Sequence, residues 1–463
     1  MFAFRNGRWL LICTTYFLLL PCHMFAQPSF LKLSALVDSA DHYLPRLKEK
    51  EALLKSASAN VTDTRHQFLP FFRFNDQVNI GSDNSLPGSY YSIGIIPSTS
   101  NGIHPESDLQ SASGNIAVLY GEYDLVDFGY KNARINQARS EEAFQGADFQ
   151  REIYILNSQV SKVYFNLIRS QAKLEVIGET VRRYDTIFMM IHALTESGLK
   201  PGSDSSLAKA ELSRNRITYN QVMEDVRNYR EALSYLTGIP PAQVITDSSL
   251  LSEDNRRRIR IPASSGASNP LLSYFENLKN TYIANEKLIS RSYLPKLMLT
   301  ATSWARGSSI TYNNEYKSLS DGLGYQRFNY LAGVSFQYDL FNGLHKKDRL
   351  KSYGFERQAS ELELEQQTLS LANAEKQAQN SIDIVERNLL ELPVQYQAAS
   401  DTYNQKVAQY KAGIISLIDL TNAAFVLDRS MNDYVETIAG WYTAQLNKAV
   451  ANGGLAAFIQ SIQ

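Results

Sequence analysis

Alternating apolar and polar residues predict that this chain contains β-strands. Over residues 71–82 a large apolar side chain recurs at nearly every second position, a period of two that a strand converts into two faces. Asp76 is the one charged residue on the apolar side. The apolar set is Phe72, Phe74, Val78 and Ile80, and the polar set is Arg73, Asn75, Gln77 and Asn79. One face of this strand should therefore contact apolar surroundings and the other water.

Three further segments complete the predicted strands. Residues 115–125 are less regular, with Ile116, Val118 and Tyr120 on one side. Residues 297–304 and 328–340 take the corresponding places later in the chain, and Leu331 interrupts the polar face of the last segment. The pattern predicts four strands of about ten residues, arranged as two pairs.

The segments between paired strands are predicted to be exposed loops. Residues 83–114 and 305–326 are rich in Ser, Gly, Asn, Tyr and Pro, which are typical of turns and loops. A soluble β-sandwich would also contain alternating strands. It would need more of them than this chain offers.

Long helices are predicted for most of the remaining sequence. Helix-forming residues with few Gly or Pro cover residues 130–197, 204–236, 344–412 and 416–451. At 1.5 Å per residue the two longest could extend roughly 100 Å. Pro393 removes a backbone donor, so we expect a kink near residues 388–392. The apolar three-four spacing lapses along these helices, which predicts side-by-side packing rather than a regular two-stranded coil.

The chain is an internal duplication. Pro45 recurs as Pro270, 225 residues later, and further on the offset is 215, which pairs Gly198 with Gly413. The other matches are Leu47, Leu53, Leu69-Pro70, Asp204 and Gly238 with Leu272, Leu278, Leu294-Pro295, Asp419 and Gly453. This period is too long for a solenoid unit, so we expect two similar halves. They are a first repeat over residues 27–238 and a second over 270–463, joined by a linker over 239–269.

The first 26 residues are predicted to be a signal peptide. Arg5 and Arg8 precede an apolar run from Trp9 to Leu20, and Ala26 ends a plausible cleavage site. Both cysteines of the chain lie inside this segment, so the exported protein should have no disulfide. Lipidation of Cys22 is an alternative, although the neighbouring Pro21 fits that signal badly.

Composition excludes some partners and gives no sign of catalysis. The chain has 46 basic and 47 acidic residues and a net charge of −1, which does not favour nucleic acid as a partner. Its six histidines are scattered, and it lacks a His-Glu-x-x-His motif, a Gly-x-Ser-x-Gly motif and a P-loop. We therefore expect no enzyme activity, no cofactor and no metal site. A secreted enzyme whose catalytic residues assemble only in space remains the alternative.

The number of strands predicts an oligomer. Four strands cannot close into a membrane barrel, since the smallest such barrels have about eight strands. An open sheet edge is not tolerated in lipid. Two copies would give eight strands around a filled interior, whereas three would give twelve strands and a lumen. The polar face of the strands favours three copies.

Taken together, these features resemble the TolC-like outer membrane efflux family, over about residues 33–453. The matching motifs come just before strands, at the ends of strands, and at the turns between helices. They are Phe68-Leu69-Pro70 and Tyr293-Leu294-Pro295; Tyr123-Asp124-Leu125 and Tyr338-Asp339-Leu340; and Gly198 and Gly413. The order repeats twice behind an export signal, which makes the resemblance specific.

The resemblance implies a mainly α-helical fold with β-structure. Three protomers would contribute four strands each to a twelve-stranded transmembrane β-barrel in the outer membrane, continued by a long α-helical coiled-coil tunnel in the periplasm. The implied function is the outer membrane channel of a tripartite efflux or type I secretion system. Its implied partners are a periplasmic adaptor, an inner-membrane pump and outer membrane lipid. Drugs, metal ions and polypeptides all remain open as substrates.

The alternative within the same machinery is the periplasmic coiled-coil adaptor. Adaptors also have long helical hairpins. They do not need duplicated pairs of amphipathic strands, and those strands favour the channel.

The resemblance also places functional residues at the two helical turns. The turns are expected to contact the adaptor through Gly198, Leu199, Asp204, Gly413, Ile414 and Ser416. The alternative is that Gly only ends one helix while Ser or Pro begins the next.

A narrow point of the channel is implied just after the second turn. Asp419 matches a position where the family narrows its pore with acidic residues, and Tyr410 matches a gate tyrosine. The second acid of the family is Asn422 here, and its inter-helix arginine is Ile415, so its gating network is not carried over intact. Asp419 also fits a capping box with Ser416, which would make it a helix cap, and Tyr410 could be simple packing.

Overall fold

A computed structural model describes residues 30–84, 106–252, 255–256 and 269–462. The chain forms two compact units. We call Pro45–Ile155 with Gly266–Asn373 the sheet unit, and the remainder, which includes Leu156–Ser265 and Ala374–Gln463, the helical unit. The predicted signal peptide, with Cys22, lies outside the described residues, as do residues 85–105 of the first loop.

The described residues of the sheet unit include one antiparallel sheet of four strands. The strands are β1 (Phe71–Gly81), β2 (Ala112–Val126), β3 (Lys296–Ser308) and β4 (Arg327–Gln337), in the order β1-β2-β3-β4. The first and last strands each have one neighbour, and nearly all of their residues are exposed on both faces. The predicted strand number and pairing are confirmed.

Three strand ends differ from the prediction by more than one residue. β2 begins at Ala112 rather than 115 and β3 continues to Ser308 rather than 304, because Gly114 and Ser308 pair in the ladder. Their Gly and Ser composition suggested a loop. β4 ends at Gln337 rather than 340, since Gln337 pairs with Lys296 and the residue before Lys296 is Pro295, which cannot donate to a ladder.

The second predicted loop is not a simple exposed loop. Residues 309–326, which we call the strap, contain a short 3-10 helix at Leu319–Leu323 and fold back on the end of the sheet. Ser113 of β2 donates its hydroxyl to Leu319 O at 2.5 Å, and Asn115 Nδ2 donates to Leu323 O at 2.9 Å. Tyr325 donates its hydroxyl to the Asp76 carboxylate at 2.8 Å, which gives that carboxylate a polar partner on the apolar side of β1.

The register of β2 places two of its large apolar residues, Ile116 and Val118, on the polar face. Residues paired directly across an antiparallel sheet point to the same side. Ile116 pairs with Gln77 and Val118 with Asn75, so both lie on the side of the polar residues of β1. This arrangement could not be predicted from the alternation within β2 alone.

Helices of the sheet unit pack through charged and aromatic contacts. They are α2 (Pro45–His66), α5 (Pro270–Ser292), the first part of α3 (Tyr130–Glu196) and the first part of α6 (Asn342–Lys411). Lys50 Nζ lies 2.6 Å from the buried Asp148 carboxylate. The Arg151 guanidinium lies 3.8 Å from the centre of the Tyr274 ring. Pro45 and Pro270, matched in the duplication, each begin a helix.

The helical unit is built on the later parts of α3 and α6. The other helices are α1 (Leu33–Tyr43), α4 (Gly202–Thr237), α7 (Leu417–Ala451) and α8 (Leu455–Ser461). Phe165 stacks on Tyr442 with ring centres 5.2 Å apart, and Phe458 packs against the same ring of Phe165. Burial raises the pKa of the neighbouring Tyr164 to about 12. The mainly helical prediction is confirmed.

Part of the predicted linker is folded. Short 3-10 helices occupy Pro241–Gln243 and Ser248–Leu251, and Val244 between them is fully buried. Thr246 donates its hydroxyl to Gln171 Oε1 at 2.6 Å, and Leu250 O accepts from the Tyr442 hydroxyl at 2.8 Å. Proline and polar residues predicted a linker here, and these contacts attach its first part to the helical unit. Residues 257–268 lie outside the described part of the chain.

The two long helices extend close to their predicted limits. α3 has 67 residues and α6 has 70, and α6 continues as a helix through Pro393. Among the residues that the structure describes, none of the helices is apolar over enough length to traverse a lipid bilayer.

Candidate functional site

The first candidate turn closes α3 with a Schellman motif. Leu199 N donates to Leu194 O at 2.9 Å, and Gly198 N donates to Thr195 O at 3.0 Å. Gly198 has a left-handed φ of +76°, which glycine adopts without a Cβ penalty. The glycine therefore has a structural role in ending the helix.

The second turn closes α6 in the same way. Ile414 N donates to Gln409 O at 3.0 Å, and Gly413 N donates to Tyr410 O at 2.9 Å. Gly413 has the same φ of +76° as Gly198. The two turns that the sequence matches at an offset of 215 thus have the same backbone hydrogen bonds.

The helices that follow the turns begin differently. Ser416 is the N-cap of α7, and its hydroxyl accepts from Asp419 N at 3.2 Å. The Asp419 carboxylate accepts from the Ser416 hydroxyl at 2.7 Å and from Ser416 N at 3.1 Å, which completes a capping box. These hydrogen bonds, the one from the hydroxyl first, lower the pKa of Asp419. The predicted capping interaction is present.

The matched residue Asp204 has no capping box. Pro201 is the N-cap of α4 and offers no side-chain hydrogen bond, and Asp204 N donates to Pro201 O at 3.1 Å. Asp204 still lies in the first turn of α4, where a negative charge is favourable to the helix dipole.

Tyr410, three residues before the second turn, is buried and contacts the first turn. It is 1% exposed, and Lys200 Nζ of the first turn lies 5.1 Å from the centre of its ring. Burial raises the pKa of Tyr410, and the charge of Asp204 adds to the effect. Its apolar neighbours include Ile187, Ile191, Ala208, Leu212, Leu417 and Leu420. Within one chain, Tyr410 is a packing residue.

Apolar side chains are exposed beside the turns. Leu199 is 71% exposed, Ile414 is 73% exposed and Ile418 is 60% exposed. Gly198 and Gly413 have no atom within 4 Å of the position that a Cβ would take, so their outer sides are open. The turns therefore present backbone and aliphatic surface at their tips, with the partly buried Lys200 beside them in the first turn.

The remaining predicted residues are divided between surface and core. Asp419 and Asn422 are both exposed on α7, three residues apart. Ile415 is partly buried against the cluster around Tyr410, so the aliphatic residue at this position packs inward.

A buried ion pair was not predicted from the sequence. Asp428 of α7 accepts hydrogen bonds from Arg183 and, at 2.9 Å, from the Thr180 hydroxyl, both on α3. The Arg183 guanidinium also lies 5.4 Å from the centre of the Tyr403 ring on α6. Burial raises the pKa of Asp428, whereas Arg183 and Thr180 oppose that change. The sequence signal that could have indicated this pair is Asp428, a single carboxylate on the otherwise apolar stripe of α7.

Metal-binding side chains do not cluster in the described residues. No group of three or more His, Cys, Asp or Glu is placed there to hold a metal ion.

Comparison with known proteins agrees with this architecture. The family model described as outer membrane efflux protein matches residues 36–239. The resemblance to this family is confirmed. By sequence, no curated protein matches the chain. The efflux-family match covers the first repeat, and solved structures extend the likeness to most of the chain.

The solved structures are outer membrane proteins of the same fold. VceC from Vibrio cholerae is 16% identical, with a TM-score of 0.73 over 91% of this chain and 96% of its own. The CmeC outer membrane channel of Campylobacter jejuni is 15% identical, with a TM-score of 0.72 over 91% and 85%. The outer-membrane channel OprN is 16% identical, with a TM-score of 0.72 over 91% and 90%. At these identities the comparison establishes the fold.

Proposed function

We propose that this chain is the outer membrane channel of a tripartite efflux or type I secretion system. Three copies would close a twelve-stranded barrel in the outer membrane and continue it as a helical tunnel in the periplasm. A periplasmic adaptor and an inner-membrane pump would deliver the substrate. The protein would act as a conduit and catalyse no reaction.

The free edges of the sheet carry this proposal. Among the described strands, β1 and β4 each have a single neighbour, and their exposed backbone edges can pair with further strands. One face of β4 is a continuous apolar row, which is suited to lipid: Phe328, Tyr330, Ala332, Val334 and Phe336. Pairing β4 of one copy with β1 of the next satisfies both edges and closes the sheet.

The polar face favours three copies over two. An eight-stranded barrel fills its interior with side chains, whereas a twelve-stranded barrel leaves a lumen. The opposite side of β1 carries Arg73, Asn75, Gln77 and Asn79, which need water or polar partners.

The two turns would be the docking surface for the adaptor. Leu199 and Ile414 are exposed aliphatic residues beside open glycines. Such residues would let the tip of an adaptor's helical hairpin pack closely on the backbone of the turns. Asp204 and Ser416 begin the next helices and would border the contact.

Asp419 would form an acidic ring at the narrow point of the trimer, with Asn422 one turn further along α7. Its exposed carboxylate already accepts hydrogen bonds from Ser416, so capping and a pore charge are compatible roles for one side chain. Tyr410 would support this ring by packing rather than by facing the lumen.

The amphipathic sheet disfavours the periplasmic adaptor as an alternative, because an adaptor needs no lipid-facing strands. Envelope fractionation followed by planar-bilayer recording tests the channel directly. We expect the protein in the outer membrane fraction and discrete conductance steps after detergent extraction. Recovery in the soluble periplasmic fraction, without conductance, would overturn the proposal.

A further inference from the structure

Two arginines face each other across the last strand pair. Arg306 of β3 and Arg327 of β4 are directly paired in the antiparallel ladder, so their side chains lie on one side of the sheet. Both are exposed. Like charges at directly opposed positions destabilise a sheet. Within the described part of the chain, neither guanidinium takes part in an ion pair. The pair therefore needs an explanation other than sheet stability.

The register places both arginines on the polar face. Gln77, Ile116, Arg306 and Arg327 form one row across all four strands. The adjacent row on the other face contains Asp76, Ala117, Ala305 and Phe328. The arginines thus lie opposite the apolar side, on the face that the proposed barrel turns towards its lumen.

Among the paired strand residues, this part of the polar face has no acid. Arg73 lies on the same face, in the row of Tyr120, Thr302 and Leu331, four residues along the strand from Gln77. The acids of this face, Glu122 and Asp124, lie beyond Arg73, in the rows of Thr300 and Met298. From Arg73 to the strap end, each chain therefore contributes three positive charges and no negative charge among the paired strand residues.

We propose that Arg306 and Arg327, with Arg73, make the strap end of the lumen selective for anions. The inference rests on the proposed function, because it requires three copies with their polar faces inward. Three charges from each of three copies would converge on one lumen, where charge of one sign raises the local concentration of oppositely charged solutes. Anionic solutes of any size that fits would be favoured over cations at this end.

The effect of these arginines on ion selectivity should also depend on ionic strength. The screening length is about 30 Å at 0.01 M salt and about 3 Å at 1 M. A lumen charge acts across the pore at low salt and is screened at high salt. The contribution of the arginines to the anion-to-cation permeability ratio should therefore be strong in dilute KCl and nearly absent in concentrated KCl.

The test is the reversal potential of single channels in a dilute KCl gradient. In the double variant Arg306→Gln/Arg327→Gln, the anion-to-cation permeability ratio should fall by roughly threefold or more, since surface potentials reach several kT. The double variant Arg306→Lys/Arg327→Lys keeps the charge and should match the wild type. Lys317→Gln removes one charge from the strap, off the strand ladder, and should have a smaller effect than Arg306→Gln.

The outcomes separate this inference from the proposed function. Channels of unchanged selectivity in the double Gln variant would overturn the inference and leave the channel standing. A shift of equal size in the Lys double variant would also overturn it, because the charge is then not the cause. Wild-type protein that forms no channel would overturn both.

Discussion

Gly198 and Gly413 lie 215 residues apart and have the same left-handed backbone conformation, with φ of +76° at each. Each closes a long helix with its amide bonded to the carbonyl three residues earlier. The space beside each is open, so a new side chain would meet no neighbour within the chain. Conformation rather than space makes glycine the suitable residue at both turns.

Gly413→Ala should lower the free energy of unfolding by about 1–2 kcal/mol, because an L-residue is disfavoured by roughly that amount in the left-handed region. Gly413→Asn should lower it less, since Asn tolerates this conformation. Thermal unfolding of the detergent-extracted protein measures both. Equal stability of Ala variant and wild type would show that the glycine conformation is not required.

Gly413→Glu should abolish export while the oligomer and its membrane insertion persist, because a charged side chain would project into the proposed adaptor contact. Gly413→Asn is the matched control, since it keeps the turn with a small neutral side chain. Export is measured in a strain that lacks the channel. Normal export by the Glu variant would contradict the docking assignment.

Asp419→Asn should lower the cation-to-anion permeability ratio and weaken block by divalent cations at the periplasmic side, because three carboxylates would be lost from the narrow point. Single-channel recording in asymmetric salt measures both. Ser416→Ala is the control, since it removes the N-cap but keeps the charge. Unchanged selectivity and block in Asp419→Asn would leave Asp419 as a helix cap alone.

The pKa of Asp419 gives the capping role its own pH dependence. The hydrogen bonds from Ser416 lower the pKa below its ordinary value of 3.8. The stabilisation is therefore present above pH 3.8 and is lost as pH falls through the lowered value. Asp419→Asn should lack this acid-side loss, which thermal unfolding across the acid range would detect.

Asp428→Leu should lower the free energy of unfolding by about 3–5 kcal/mol, because it leaves the Arg183 charge buried without a partner. The double variant Arg183→Met/Asp428→Leu should recover most of that loss, since apolar residues of similar volume can replace a buried pair. Denaturant unfolding of the three proteins measures the difference. No recovery in the double variant would indicate that the pair itself is stabilising.

Local sequence patterns predicted the helices and strands of this fold well. They did not predict the register between strands, which decides where strands end and which way their side chains face. The caps and glycines bounded the helices, as at Gly198 and Gly413, because those signals are local. The predicted end of β3 and the prediction of a simple exposed loop after it were wrong. Ser308 belongs to the strand because it pairs with Gly114 in the ladder, not because of its own propensity. Which side Ile116 faces also depends on a partner strand.

The candidate site was predicted in part for the same reason. The capping box of Ser416 and Asp419 is visible in four consecutive residues. Arg183 and Asp428 are 245 residues apart in sequence, and Arg306 and Arg327 become neighbours only in the sheet. Contacts of that kind require the tertiary structure.

The number of copies in the membrane-extracted protein tests the central proposal most directly. Native mass spectrometry of the full oligomer in detergent counts the chains. Three chains are predicted, because four strands from each close a twelve-stranded barrel with a lumen. A monomer would leave β1 and β4 unpaired in lipid, and a dimer would close eight strands without a lumen, so either mass would contradict the proposed channel.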